Sequence, residues 1–147
     1  MLLGSLATVT GVVERRQTLP ILANVFMHLK GNQLTLVGTD LEVEISVDTE
    51  VLSGEDGQCT VTARKLLDIC RALPETAVID FSGESDKAKL RSGRSRFTLQ
   101  ALPSTDFPRL DAGKWEERFK MPQPTLKSLF DRTGFSMAQQ DVRYFLN

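Results

Sequence analysis

Residues 21–51 restrict the fold more than any other part of the chain. Residues 21–29, Ile-Leu-Ala-Asn-Val-Phe-Met-His-Leu, form an apolar run dense enough for a buried strand. Gly31-Asn32 follows as a two-residue hairpin signal. Leu34, Leu36 and Gly38 then alternate with Thr35 and Val37, as a returning strand does. Across 41–51 the alternation resumes, with Leu41, Val43, Ile45 and Val47 on one side and Glu42, Glu44, Ser46 and Asp48 on the other. Three antiparallel strands with one covered and one wet face satisfy this pattern.

The remaining segments supply the cover. Leu2, Leu3, Leu6, Val9 and Val13 recur at helical steps and predict a short helix closing near Gly11. Residues 14–18 read as a charged loop, and Pro20 precedes the first strand. Residues 53–57 are a loop, 59–62 a short strand and 63–73 a second helix, stopped by Pro74. Its inner side carries Leu66, Leu67, Ile69, Cys70 and Leu73. A strand is predicted over 77–81, and a hairpin over 87–91 and 94–100 about Ser92-Gly93. Pro103, Pro108 and Gly113 mark a linker running through Trp115. A strand near 118–121, a helix over 124–133 and a strand from Val142 then repeat the opening order. The expectation is an α+β chain: a first domain over 1–115 and the truncated start of a second over 116–147.

Few kinds of chemistry are accessible to these residues. The 147-residue chain has one histidine, His28, and two separated cysteines, Cys59 and Cys70, which match no metal-ligand or redox spacing. No phosphate-cradling glycine loop or nucleophile elbow occurs. Asp40 and Glu42 would share a strand face, as a catalytic pair could. An Asp at a strand corner more commonly accepts hydrogen bonds from nearby backbone N–H groups. No catalytic residue, metal site or cofactor is therefore assigned. With no long apolar run and no basic-flanked leader, a cytoplasmic protein is expected.

The net charge is −1, so any anionic partner must be met by local charge. With Ser92-Gly93 as the turn, Arg91 faces Arg94 and Lys89 faces Arg96, with Lys87 on the same side. Like charges opposed across strands disfavour pairing. Three readings remain open for this hairpin: a solvated basic face, a contact for nucleic-acid phosphate, or a contact for an acidic protein surface. Further cations lie at Arg15 and Arg16, at Arg64, Lys65 and Arg71 on the second helix, and at Lys127 and Arg132 on the third.

Several segments together resemble the sliding-clamp family, the beta subunits of bacterial DNA polymerase III. They are 18–22 (TLPIL), 38–42 (GTDLE), 63–74 (ARKLLDICRALP), 91–97 (RSGRSRF), Leu102-Pro103 with Asp106-Phe107-Pro108, 135–138 (FSMA) and 140–144 (QDVRY). The resemblance implies antiparallel sheets on the outside of a ring and two helices per domain facing a DNA hole. It also implies a head-to-tail pair of subunits, tethering of the replicative polymerase to duplex DNA, and partnership with a clamp loader. Nucleoid association during replication would accompany that role.

By the same resemblance, Arg16, Arg64, Gln140 and Tyr144 match positions that approach DNA. Phe145 stands where a second tyrosine is common and lacks its hydroxyl. Lys87, Arg94 and Arg96 match interface cations, and Phe97 and Leu99 match apolar contacts of that interface. Leu146 matches one wall of a pocket for partner peptides. The competing reading is a free-standing nucleic-acid-binding domain that uses hairpin 87–98 directly. Against the family pattern, the first strand and most of the later domains are missing, so no closed ring is expected. Sedimentation of the 147-residue chain checks this: a stable, compact, ring-sized dimer would refute it.

Overall fold

The computed structural model describes residues 2–13, 19–84, 86–110, 117 and 119–137. The chain divides into two compact units, Met1–Asp111 and Ala112–Asn147. In the first, helix α1 (Leu2–Thr10) precedes strands β1 (Asn24–Lys30), β2 (Gln33–Thr39), β3 (Glu44–Glu50) and β4 (Gly57–Thr62). Helix α2 (Ala63–Ala72) follows, then β5 (Asp80–Gly83), β6 (Lys87–Ser92) and β7 (Ser95–Leu102). The strands form one antiparallel sheet in the order β3-β2-β1-β4-β7-β6-β5.

Both helices cover one face of this sheet. Leu6, Val9 and Val13 meet Val25, Met27, Leu36, Val61, Leu66, Leu67, Leu90 and Leu99 in the main core. A Cβ on Gly38 would lie 2.5 Å from the Val9 carbonyl oxygen, so the close approach of α1 to β2 requires a residue without a side chain. On the opposite face, Phe26 and its cross-strand neighbour Val37 are capped by Phe107. The chain after β7 is held over them. The Arg109 guanidinium grips the Glu44 carboxylate through two 3.1 Å hydrogen bonds, and the Leu110 N–H donates to the same group at 3.0 Å.

Four sequence expectations for the first unit are corrected. Residues 21–23 are not strand but part of a 3-10 turn, Pro20–Ala23. Proline's fixed φ suits the first position of that turn, and the strand begins at Asn24. The third strand begins at Glu44 rather than Leu41, and Leu41 and Val43 are exposed. Leu41 adopts φ 79°, a left-handed conformation costing an L-residue roughly 1–2 kcal/mol. The Thr39 hydroxyl accepts from the Leu41 N–H, and the Asp40 carboxylate accepts from the Glu42 and Val43 N–H groups. These bonds make the corner that Asp40 suggested. The fifth strand starts at Asp80 instead of Ala77.

The fourth correction concerns the basic hairpin. Its turn is Gly93-Arg94, because Ser92 pairs with Ser95. Gly93 has φ 55°, and primed two-residue turns need that left-handed conformation at their first position. The shift by one residue puts Arg91 opposite Arg96 and Lys89 opposite Thr98. One cationic pair is therefore in register instead of two, and Arg94 lies in the turn.

In the second unit, helix α3 (Gln123–Thr133) carries a Lys127–Asp131 ion pair at the i,i+4 spacing. Leu129 and Phe130 on this helix are exposed. The described residues 119–121 form no strand, and the strand expected from Val142 lies outside the described residues.

The two halves of the sheet meet where β4 pairs with β7 at Thr60–Leu102 and Val61–Ala101. There the Thr60 hydroxyl donates to the Leu102 carbonyl at 2.7 Å and accepts from the Asn24 side-chain amide at 3.1 Å. Asn24 and Thr60 are buried. Thr60→Val keeps the shape but strands both partners, so urea denaturation should show a loss of about 1–3 kcal/mol.

Candidate nucleic-acid and subunit interfaces

The exposed side of the helix layer carries its charge on one helix. On α1 the residues Leu3, Gly4, Ala7 and Thr8 are exposed, and the helix bears no charge. On α2 the amphipathic spacing buries Leu66, Leu67 and Cys70 and leaves Arg64, Lys65, Asp68 and Arg71 outside. Three cations against one carboxylate make that face net +2. Arg64 is tied down: its Nη2 donates to the Val13 carbonyl at 2.9 Å. No sequence signal marks this bond, because its acceptor is a backbone atom 51 positions earlier.

The opposite face of the sheet is divided by charge. At the β3 side lie Glu44, Asp48 and Glu50, and at the far side Lys87, Lys89, Arg91 and Arg96. Lys89 pairs with Glu84, and Lys87 lies 3.8 Å from Asp86. The sequence reading overlooked these two acidic neighbours; their signal was position, just before β6 in the chain. Among the described residues no ion pair forms at Arg91, Arg94 or Arg96.

The anticipated interface residues are not all brought to one surface. Lys87 and Arg96 share the outer face, and Arg94 sits in the turn. Leu99 is buried in the main core and Phe97 is half-buried against it, both on the helix-covered side. The hairpin is also not the sheet edge, since β5 pairs outside β6. Arg16, Gln140, Tyr144, Phe145 and Leu146 lie outside the described residues.

The groups weighed for catalysis have other partners. One oxygen of Asp40 receives two backbone N–H groups, at 2.9 and 2.7 Å. His28 is exposed beside the Phe26 ring, at 6.4 Å between centroids. Among the described residues no cluster of three His, Cys, Asp or Glu could hold a metal ion. Among them, too, no helix is long and apolar enough to cross a membrane.

The model of the DNA polymerase III beta subunit, N-terminal domain, matches residues 1–111. The beta sliding clamp of Pseudomonas aeruginosa is 53% identical over 99% of this chain. That of Escherichia coli is 48% identical over the same share. The crystal structure of the DNA polymerase III subunit beta from Pseudomonas aeruginosa superposes with a TM-score of 0.93 at 50% identity, over 99% of this chain and 40% of the other. The pol III beta of Caulobacter crescentus gives 0.93 at 36% identity, with the same coverage. The chain belongs to the DNA polymerase III beta subunit family and has the sliding-clamp fold. It spans about 40% of the length of the curated relatives it matches.

Burial pushes the Cys59 thiol up to about 11 and raises that of Cys70 as well. Neither is an activated nucleophile at neutral pH. The folded chain holds the Cys59 proton more tightly than the unfolded chain does. That contribution to stability is complete below the ordinary thiol value of 9.0 and lost as pH rises towards 11. Urea midpoints measured across this window should fall with pH, and the fall should shrink in Cys59→Ala.

Proposed function

We propose that this chain carries the first part of a DNA sliding clamp. In this reading the assembled protein encircles duplex DNA and tethers the replicative polymerase without catalysing a reaction. Residues 1–115 correspond to the first clamp domain and 116–147 to the start of a second. The observation that carries the reading is the helix layer: exposed cations at Arg64, Lys65 and Arg71 beside a helix that bears no charge. Such a surface can meet phosphates, and phosphate contacts carry no sequence information, so contact of this kind is independent of sequence and sliding is allowed.

Arg64 is the described member of the DNA-facing set, with Arg16, Gln140, Tyr144 and Phe145 completing it. The outer hairpin serves a different contact. Lys87, Arg94 and Arg96 meet acidic residues of a second clamp subunit, and Phe97 and Leu99, on the helix-covered side of the same hairpin, back that contact from within the core. Leu146 contributes to the partner-peptide pocket. A clamp loader and the replicative polymerase are the further partners, in the bacterial cytoplasm at the nucleoid.

The test is fluorescence anisotropy of a short labelled duplex titrated with the chain at several salt concentrations. Joint replacement of Arg64 and Arg71 by Gln should reduce the slope of log affinity against log salt by roughly 1.8, two phosphate contacts' worth. If the double replacement of Arg94 and Arg96 produces that change instead, the helix layer is not the surface that meets DNA.

A further inference from the structure

Arg64 stands where its own helix disfavours it. It lies in the first turn of α2 with Lys65 beside it, no carboxylate in that turn and no side-chain cap from Thr62. The positive end of a helix dipole repels cations. What holds Arg64 there is another element, through the 2.9 Å bond from its Nη2 to the Val13 carbonyl. Val13 is 2% exposed and lies just beyond the end of α1, where its N–H donates to the Thr10 carbonyl. A carbonyl in so buried a residue requires a donor. The guanidinium supplies one while Arg64 itself stays exposed.

We propose that the Val13 carbonyl pre-sets Arg64 as an oriented phosphate-gripping fork: Arg64 positions itself against α1 before DNA arrives, and acts by geometry as well as by charge. This rests on the DNA-contact reading above and extends it. A guanidinium has five N–H donors in a planar fork, so one bond to Val13 leaves others for a phosphate oxygen. Immobilising a free arginine on binding lowers affinity, and an arginine already fixed avoids roughly two- to tenfold of that loss. Lysine keeps the charge but has a single compact ammonium that cannot hold Val13 and present a fork together.

The experiment uses the 147-residue chain and a short labelled duplex of arbitrary sequence, with R64K and R64Q compared to the starting protein across a salt series. R64K should bind roughly two- to tenfold more weakly at every salt while keeping the slope, because the charge is unchanged. R64Q should weaken binding further and lower the slope by about 0.9. A merely structural role would not separate affinity from slope in this way. R64K binding like the starting protein overturns the proposal, and so does R64Q binding like it. If the unaltered chain shows no salt-dependent DNA binding, the reading of the helix layer as a DNA contact fails, which is a separate result. A second measurement needs no variant: side-chain 15N relaxation of the DNA-free chain. Arg64 Nε should be markedly more rigid than that of Arg71, and equal mobility refutes the pre-set fork.

Discussion

The sheet of the first unit is joined across its middle by only two ladder pairs, Thr60 with Leu102 and Val61 with Ala101. On one side lie β1 to β4, and on the other the β5-β6-β7 group with its cations. The Thr60 hydroxyl reinforces this narrow junction by bridging the Asn24 amide and the Leu102 carbonyl. On the other face the same residues' neighbours, Val61 and Ala101, enter the main core under the helices. Polar stitching on one face and apolar burial on the other thus meet at one point. If the junction opened, the hairpin would lose its fixed relation to the helix layer.

Charge is sorted by layer within this frame. The helices carry a small net positive surface, while the outer face of the sheet separates acidic β3 from basic β6 and β7. A global charge of −1 conceals this arrangement. The pleat does the sorting: in each strand alternate residues enter the core, so charged neighbours in sequence emerge together on the wet side. The segment after β7 closes the middle of that face, with Phe107 buried over Phe26 and Arg109 locked to Glu44. The two charged regions are thereby kept apart by a covered apolar patch.

Much of this was legible from local patterns. The Gly31-Asn32 turn, the two helices of the first unit and the helix-stopping Pro74 follow from periodicity and turn chemistry, and the structure has them. The failures occurred where two local signals competed. Pro20 and the apolar run after it read as strand entry, yet the proline begins a 3-10 turn. Alternation across 41–47 read as strand, yet hydrogen bonds from Thr39 and Asp40 side chains hold Leu41 left-handed and expose it. Ser92-Gly93-Arg94 offered two placements for one turn, and the conformational need of glycine at the first position chose between them.

The sequence by itself determined the antiparallel α+β character, the absence of a recognisable catalytic or metal motif, and the family, because these depend on residue type and spacing along the chain. Tertiary structure decided which side chains act together. It placed Lys87 and Arg96 on one face and Phe97 and Leu99 on the other, put β5 outside the hairpin, and paired Lys89 with Glu84. It also joined Arg64 to the backbone of Val13. A one-residue register shift changes which residues face one another across strands, and a carbonyl acceptor has no letter in the sequence. Both are settled only when distant segments are packed.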